Sequence, residues 1–418
     1  MTWDPPPRSD WVRAVNAGEV APIADVARLP FDRDALLDEA RAELAIDGHG
    51  TDGFGDDDFL EPLAVLLPAL EEEAELTVLG RWITRRFLLR LLQVRAHTVA
   101  YVHADPAVLD EVVDRPVFVT GAPRTGTTIL HALLAQNPAG RVPEGWELLR
   151  PVPPPDPSSF PDLARVALAD RELRMPALAT GTLDAIHEYG GRMHKECVSS
   201  MSFVFRSEEF TARYHVPSYV RWLAACEMTP AYDWHRLVLQ VLQRRFTNTH
   251  WALKSPVHLH SLPALLAEYP DARLVVTHRD PLTVLGSVTS LVATLRRAHS
   301  DAVDYADIGR YHFDLYHRAL DGLVDLTETG ALDGVRVHHT HYAAFMDDPF
   351  GTVSSVADAL DDPLDDATSA AMHAYLDDHP QGAHGAHHYS FDDLGFDAAE
   401  ARARFTRYQS YFDVPDEV

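Results

Sequence analysis

A short β-branched run, followed by a glycine-bearing turn and an apolar helix, is the feature that most constrains the fold of this chain. The run occupies residues 115–120, the turn contains Gly121 and Gly126, and the apolar helix begins at Thr128. A strand–loop–helix unit of this kind directs backbone N–H groups and a helix N-terminus toward one anion. The pattern therefore predicts a phosphate site at the end of a strand.

Three further runs have strand character, at residues 251–254, 273–277 and 335–338. Helical stretches flank each run, which is typical of a parallel sheet with crossover helices. The predicted fold class is α/β, with a P-loop-like parallel sheet and flanking helices. We expect a helical N-terminal region at 1–114 packed on the core, and an α/β domain at 115–418. Within that domain, the proline-rich stretch 151–157 introduces a helical insertion at about 151–249.

The net charge of the chain limits its partners. Lys and Arg number 36 against 63 Asp and Glu, which gives a formal net charge of -27. A surface of that sign repels nucleic acid and anionic lipid, so no nucleic-acid partner is expected. A small anionic ligand can still bind where a few cations converge in a cleft. The positions of those cations then indicate the function.

Several features predict a cytoplasmic protein without an integral membrane segment. Cys197 and Cys226 are too few and too far apart for a disulfide framework or a metal-binding pair. Residues 1–10 lack the basic segment and apolar run of a secretory signal. The apolar stretch 76–99 reads as an amphipathic helix because arginines interrupt it. These are Arg81, Arg85, Arg86, Arg90 and Arg95.

The glycine turn departs from the phosphate loop of ATP-using enzymes. Gly121 and Gly126 have the spacing of GxxxxGK[ST], but Thr127 occupies the lysine position. That lysine normally reaches the β- and γ-phosphates, so its absence argues against triphosphate chemistry. Arg124 supplies a cation instead, and Thr125, Thr127 and Thr128 supply hydroxyls. This set suits a single 5′-phosphate; the alternative is a loop that merely caps the helix.

A second anion-binding element follows the run 273–277. Asp280 and Pro281 read as the N-cap and first residue of a helix, which holds Arg279 at the C-terminal edge of the sheet. Ligands of open parallel sheets bind at that edge. Ser287 lies about two helical turns farther on and can face the same anion. The alternative is that Arg279 pairs with a local acidic residue.

These motifs resemble the donor-binding elements of sulfotransferases, and of bacterial sulfotransferase-family proteins in particular. The resemblance covers Pro-Arg-Thr-Gly-Thr-Thr at 123–128, Trp-Glu at 146–147, Leu-Lys-Ser-Pro at 253–256 and His-Arg-Asp-Pro at 278–281. It implies 3′-phosphoadenosine 5′-phosphosulfate as the donor. The segment Arg124, Thr125, Gly126, Thr127 and Thr128 would hold the 5′-phosphosulfate, and Arg279 with Ser287 would hold the 3′-phosphate.

The family also has donor contacts in a late loop. The corresponding residues here, 381–389, contain neither Lys nor Arg, which leaves His384 or His388 as candidates. We do not interpret these histidines, or those at 338–341, as a metal site because neither group has a convincing ligand set.

Sulfuryl transfer requires in-line placement, neutralisation of the transferring oxygens and a base for the acceptor hydroxyl, and it requires no metal. Lys254 resembles the family lysine that contacts the sulfuryl and leaving oxygens. Glu147 and His258 are the candidate bases. Glu147 is favoured because Trp-Glu resembles the acidic motif of bacterial members, whereas Lys-x-x-x-His differs from the Lys-x-His of eukaryotic cytosolic enzymes. Glu144 is a lesser candidate, and capping or packing roles are the alternatives.

The sequence thus predicts a sulfotransferase that acts on a hydroxyl of a small molecule. An ATP-dependent small-molecule kinase with an atypical loop, or a non-catalytic nucleotide-binding protein, remains an alternative. Lipid, sugar and aromatic alcohols all remain open as acceptors. The aromatic residues of the insertion either line an acceptor pocket or form ordinary core. They are Phe203, Phe205, Tyr214, Tyr219, Trp222 and Tyr232.

Overall fold

A parallel β-sheet lies at the centre of the protein. The computed structural model describes residue 3 and residues 5–46, 53–138, 140–181, 189–246, 250–379 and 391–418. Within these residues, five strands form one sheet in the order β2-β3-β1-β4-β5. They are β1 (Val117–Gly121), β2 (Gly140–Arg141), β3 (His250–Lys254), β4 (Arg273–His278) and β5 (Arg336–His341). The predicted α/β class is confirmed, and β2 is the strand that was not predicted.

The strand order creates a crevice at the carboxyl end of β1. Strand β1 pairs with β3 on one side, where Val119 lies opposite Lys254, and with β4 on the other, where Gly121 lies opposite Thr277. Strands β2 and β3 therefore lie on one side of β1, and β4 and β5 lie on the other. Ligands of open parallel sheets bind where the strand order switches sides in this way. The loop after β1, Lys254 and the end of β4 all border this crevice.

Helices precede the sheet and share its core. They are α1 (Asp10–Asn16), α2 (Ala21–Ala27), α3 (Arg33–Ile46), α4 (Leu60–Glu72) and α5 (Val78–Ala104). Arg95 of α5 is buried because its guanidinium pairs with Asp58 and lies over the rings of Phe59 and Trp234. Among the helices of the described residues, none is both long enough and apolar enough to cross a membrane.

The region between β1 and β3 is helical. The described helices there are α6 (Thr127–Leu134), α7 (Gly145–Leu149), α8 (Leu163–Leu173), α9 (Met175–Thr180), α10 (Val198–Met201), α11 (Glu208–Arg213), α12 (Pro217–Leu223) and α13 (Thr229–Gln243). The aromatic side chains Phe203, Phe205, Tyr214, Tyr219 and Tyr232 are buried in the main hydrophobic core, and Trp222 packs against it. Their interpretation as ordinary core is confirmed.

The remaining helices surround β4 and β5. They are α14 (Leu262–Glu268), α15 (Pro281–Arg297), α16 (Tyr305–Glu328), α17 (Tyr342–Asp347), α18 (Pro349–Ala359), α19 (Asp366–Asp378) and α20 (Ala398–Tyr411). Short 3₁₀ turns lie at Asp57–Phe59, Pro106–Asp110, Pro157–Ser159, Ser202–Val204, Pro256–His260 and Phe391–Leu394.

Both faces of the sheet are covered by apolar side chains. Phe118 belongs to a hydrophobic cluster that extends from Phe31 to Val414, whereas its neighbours Val117 and Val119 belong to a second cluster with Leu130 and other residues. This alternation follows from the two-residue period of a strand. Because both faces of a parallel sheet are normally buried, a ligand binds in the crevice at the carboxyl ends of the strands.

Candidate active site

The loop after β1 has backbone conformations that few residues adopt. Gly121 has φ 138° and Gly126, the N-cap of α6, has φ 89°. A Cβ atom on Gly121 would lie 2.4 Å from the carbonyl oxygen of Thr277, so a side chain has no room there. Arg124 also has positive φ, at 67°. Unusual backbone at a non-glycine residue is concentrated at ligand sites, which agrees with an anion-binding loop.

The hydroxyls of this loop do different things. Thr125 is 2% exposed, and its Oγ1 donates to the carbonyl oxygen of Ala122 at 2.7 Å and contacts the Thr277 hydroxyl. This side chain therefore fastens the loop to β4 and leaves the backbone N–H of Thr125 as its group for an anion. Thr127 is buried, whereas Thr128 is exposed and lines a cavity. Of the three hydroxyls expected around one anion, that of Thr125 is therefore already used within the protein.

Arg124, Ser287 and Arg279 come together from three elements. The Nε of Arg124 donates to Oγ of Ser287 at 3.0 Å, and Nη1 of Arg279 donates to the carbonyl oxygen of Arg124 at 2.9 Å. The Arg279 guanidinium lies over the Tyr342 ring, 3.8 Å from its centroid. Its Nη2 forms an ion pair with Oε2 of Glu417 at 2.8 Å. The expected grouping of the three residues is present, and Glu417 adds an acidic partner.

The segment around Glu417 is fastened next to Arg279. Asp280, the N-cap of α15, accepts hydrogen bonds from the N–H groups of Glu417 at 2.7 Å and Leu282 at 3.1 Å. Arg402 pairs with the same carboxylate at 2.7 Å. Burial acts to raise the pKa of Asp280, but these hydrogen bonds outweigh it and hold the pKa below its ordinary value. A buried carboxylate thus anchors this segment beside the guanidinium.

Lys254 joins the loop to an acidic residue that the sequence motifs did not reveal. Its side chain is 4% exposed, and Nζ lies 2.5 Å from Oε1 of Glu196 and 3.4 Å from Oγ1 of Thr128. The Cys197 N–H donates to the carbonyl oxygen of Lys254 at 3.1 Å, which holds Glu196 beside the end of β3. Glu196 lies outside the helices and strands, where no periodic pattern marks it.

The structure gives Glu147 a capping role. Its side chain is fully buried, one carboxylate oxygen pairs with Arg141, and the other accepts the Glu144 N–H at 2.9 Å. The second contact belongs to the capping box of α7. Burial raises the pKa of Glu147, and the Arg141 charge and the Glu144 N–H oppose that rise. Glu144 accepts from Trp146 and pairs with Arg192. This geometry does not support Glu147 as the base.

His258 lies in the core. Its Nδ1 is 2.9 Å from the Tyr232 hydroxyl, and its ring packs edge-on against Phe118. Burial, with a smaller contribution from His235, lowers the pKa of His258 well below its ordinary value, so the ring is neutral. His258 does not line the cavity beside Lys254. Its predicted role as an alternative base is not supported by this position.

A cavity of about 270 Å³ opens beside the phosphate loop, and we call it the acceptor cavity. Thr128, Lys254, Glu196 and His194 are among its polar lining residues. Burial and the neighbouring Lys254 lower the pKa of His194 to about 4, which leaves the imidazole neutral near pH 7. His131, another lining residue, has Nε2 2.9 Å from the Ala252 carbonyl oxygen. The arrangement places a cation and a carboxylate side by side on the wall of this cavity.

The histidines at 338–341 do not border this cavity. His339 and His278 are joined by an Nδ1–Nε2 contact of 2.8 Å, and His341 Nε2 lies 2.7 Å from the Phe412 carbonyl oxygen. In the part of the chain that the structure describes, no group of three or more His, Cys, Asp or Glu side chains is arranged to hold a metal ion. The candidates His384 and His388 lie outside the described residues.

Two solved structures that share this fold are bacterial sulfotransferases. Sulfotransferase STF1 from Mycobacterium tuberculosis H37Rv superimposes with a TM-score of 0.78 and 31% identity, covering 92% of this chain and 100% of that one. Sulfotransferase STF9 from Mycobacterium avium gives a TM-score of 0.81 and 26% identity, covering 93% of this chain and 99% of that one. The resemblance to bacterial sulfotransferases is confirmed.

Sequence comparisons agree. Omega-hydroxy-beta-dihydromenaquinone-9 sulfotransferase Stf3 of Mycobacterium bovis and of Mycobacterium tuberculosis are each 26% identical over 253 residues, or 57% of this chain. The match spans 61% of the length of those relatives. A profile described as "Sulfotransferase family" matches residues 116–366, which include the phosphate loop, Lys254 and Arg279. The chain therefore belongs to the sulfotransferase family.

Proposed function

We propose that this protein transfers a sulfuryl group from 3′-phosphoadenosine 5′-phosphosulfate to a hydroxyl of a small-molecule acceptor. The observation that carries the proposal is the pair of cationic groups on either side of one glycine loop. On one side, Arg124 donates to Ser287, and Arg279 donates to the carbonyl oxygen of Arg124; on the other, Lys254 contacts Thr128. Two separated cationic groups suit a donor that carries a 3′-phosphate and a 5′-phosphosulfate.

The residues fit such a donor in a strongly acidic protein. With a net charge of -27, the chain binds a multiply charged anion only where cations are concentrated, and this crevice concentrates them. Arg279 and Ser287 would hold the 3′-phosphate. The loop residues Gly126 and Thr127 would direct N–H groups at the 5′-phosphosulfate from the start of α6, with Thr125 holding the loop in place. Arg124 would connect the two halves.

The transfer itself requires a cation and a proton acceptor at the reacting atoms. When bound, the donor supplies an electrophilic sulfuryl group, whose bond to the phosphate oxygen breaks as the acceptor oxygen bonds to sulfur. Lys254 would neutralise charge on the sulfuryl and leaving oxygens. Glu196 would accept the proton of the acceptor hydroxyl, so that a neutral alcohol leaves as a sulfate ester.

Glu196 replaces Glu147 and His258 as our proposed base because of its position. Its side chain is 28% exposed, lines the acceptor cavity and contacts Lys254. A base must reach the hydroxyl it deprotonates, directly or through one water molecule. Glu147 and His258 are enclosed by other contacts and do not line the cavity.

The named relatives support an alcohol as the acceptor. Stf3 is described as acting on omega-hydroxy-beta-dihydromenaquinone-9, a molecule that bears a hydroxyl group. We extend the reaction class to this chain and leave the acceptor to be identified. A cytoplasmic location belongs to the same proposal, since both cysteines are free. The kinase and non-catalytic alternatives gain no support from the comparisons.

Calorimetric titration tests the donor assignment. We expect adenosine 3′,5′-bisphosphate to bind without added magnesium and much more tightly than ATP does with or without magnesium. Tighter binding of magnesium-ATP would contradict the proposal and favour the kinase alternative. Addition of an alcohol library with the sulfated donor, followed by mass spectrometry, then tests for turnover, which a non-catalytic nucleotide-binding protein lacks.

A further inference from the structure

The acceptor cavity adjoins a second cavity. Leu173, Tyr189, Arg213 and Leu295 line both this cavity and a larger one of about 500 Å³, which we call the outer chamber. Since the two cavities have these four wall residues in common, they adjoin there. The volume of the outer chamber alone lies within the range of binding sites for drug-sized ligands, roughly 300–1,000 Å³.

The outer chamber has apolar walls supplied by helices. Trp82, Ile83 and Phe87 come from α5, and Leu168 and Met175 come from α8 and α9. Aromatic and aliphatic walls favour the burial of hydrocarbon, at about 0.8 kcal/mol per methylene group. An apolar ligand is therefore the class that these walls would bind.

Three of the arginines that line the same chamber, Arg90, Arg150 and Arg213, have acidic partners, and the other two, Arg86 and Arg171, are exposed. Glu172 lies 3.3 Å from Arg90 and 2.5 Å from Arg150, and Arg213 pairs with Glu209 at 2.5 Å. Burial lowers the pKa of Arg90, to about 10, but the group remains charged at neutral pH. Because carboxylates within the protein balance the charges of Arg90, Arg150 and Arg213, and the charges of Arg86 and Arg171 are exposed to water, the chamber is suited to an uncharged body rather than to an anion.

A different cavity, of about 480 Å³, adjoins the acceptor cavity on another side, and we call it the side chamber. Val257, Glu208, Tyr311 and Leu315 line both. Burial raises the pKa of Glu208 to about 8, and the nearest ionisable contact is His260, whose Nε2 is 3.7 Å from Oε2 of Glu208. Hydrocarbon placed there would deprive this carboxyl group of hydrogen-bond partners, which is costly in a buried site. At the wall shared with the outer chamber, the charged group is Arg213, which is already paired with Glu209.

We propose that the acceptor is an uncharged amphiphilic alcohol whose hydroxyl lies beside Lys254 and Glu196 and whose apolar body extends past Leu173 and Leu295 into the outer chamber. The inference rests on the proposed function and adds a substrate class to it. The outer chamber then selects for the length of the apolar body, while the chemistry takes place in the acceptor cavity.

The test is a series of straight-chain primary alcohols, from four to eighteen carbons as the probe, assayed for sulfation with wild-type protein. Once the chain reaches the outer chamber, kcat/KM should rise by up to about fourfold for each added methylene. Leu168→Trp fills the outer chamber from α8, and Leu223→Trp is its matched control because Leu223 lines the side chamber from α12. Neither residue belongs to the donor site.

We expect Leu168→Trp to lower kcat/KM at least tenfold for the longest alcohols, to leave the shortest ones unchanged and to leave bisphosphate binding unchanged. Leu223→Trp should leave the whole profile unchanged. A profile truncated by Leu223→Trp instead would place the apolar body in the side chamber and overturn the inference, as would a profile with no dependence on chain length. Failure to sulfate any alcohol despite bisphosphate binding would contradict the proposed function itself.

Discussion

The ammonium group of Lys254 lies 2.5 Å from a carboxylate oxygen of Glu196, at the junction between the phosphate loop and the acceptor cavity. Lys254 is fixed by β3, whereas Glu196 is placed by an irregular segment whose next residue, Cys197, bonds to the carbonyl oxygen of Lys254. One backbone hydrogen bond therefore holds the proposed base, Glu196, beside Lys254.

Replacement of Glu196 by Gln should remove the base with little change in shape. We expect kcat to fall by about 10² to 10⁴, the usual contribution of general base catalysis, while the affinity for adenosine 3′,5′-bisphosphate remains close to wild type. Steady-state sulfation across a pH range provides the measurement. Wild-type turnover in this variant would refute the assignment.

Glu147→Gln is the matched control for Glu196→Gln, because it makes the same chemical change in a carboxylate that caps α7. Loss of the buried pair with Arg141 should destabilise the protein by about 3–5 kcal/mol. Turnover per folded molecule should nevertheless remain near wild type. Urea unfolding followed by activity assays on the folded fraction separates the two effects. A large loss of kcat without loss of stability would restore Glu147 as the base.

Arg279→Ala should selectively weaken recognition of the donor's 3′-phosphate. A hydrogen-bonded charge is worth about 1.5–3 kcal/mol, so bisphosphate affinity should fall about ten- to a hundredfold. Affinity for the 3′-dephosphorylated nucleotide should change much less. Titration of both nucleotides into wild type and variant checks this. If the variant discriminates between them as well as wild type does, Arg279 does not contact the 3′-phosphate.

Glu417→Gln should strengthen donor binding because Glu417 competes for Arg279. The pair is partly exposed, so the gain should be modest, up to about fivefold in affinity, and smaller at high salt. Asp416→Asn is the matched control: it makes the same change of charge in the adjacent residue, which pairs with Arg402 rather than Arg279. Equal effects of the two variants in a bisphosphate titration would show that only net charge matters.

Buried histidines should make the protein sensitive to acid. Burial lowers the pKa of His235 to about 3 from an ordinary value of 6.5, so the unfolded chain takes up a proton that the folded chain excludes. The contribution of His235 to the free energy of unfolding is fully present above pH 6.5 and is lost as the pH falls from 6.5 toward 3. His235→Gln should reduce the slope of unfolding free energy against pH by up to about 1.4 kcal/mol per pH unit. An unchanged slope in urea titrations between pH 4.5 and 6 would contradict this account.

Much of the sheet could be predicted because its strands are short β-branched runs next to turn residues, as at β1 and β4. The two-residue strand β2 could not, since Gly140 and Arg141 carry no pattern of their own and pair only because β3 lies beside them. The grouping of Arg124, Arg279 and Ser287 followed from a topological rule that brings parallel strand ends to one edge.

The proposed base was harder to predict because its position depends on tertiary contacts. Glu144 and Glu147 have the three-residue spacing of a capping box, which indicates a structural role, but the Trp-Glu resemblance favoured Glu147 as the base. Glu196 has no equivalent signal, because its place beside Lys254 depends on an irregular segment that contacts the end of a strand distant in sequence. Glu417 was missed for the same reason. Contacts between segments that are distant in sequence produce no periodic pattern in the sequence.

The most direct test of the central claim is a transfer assay with purified protein, 3′-phosphoadenosine 5′-phosphosulfate and an alcohol, followed by mass spectrometry of both products. We predict that the alcohol gains one sulfuryl group and that an equal amount of adenosine 3′,5′-bisphosphate appears, in the presence of a metal chelator. Phosphorylation of the alcohol with magnesium-ATP, with no sulfate ester formed from the sulfated donor, would contradict the account.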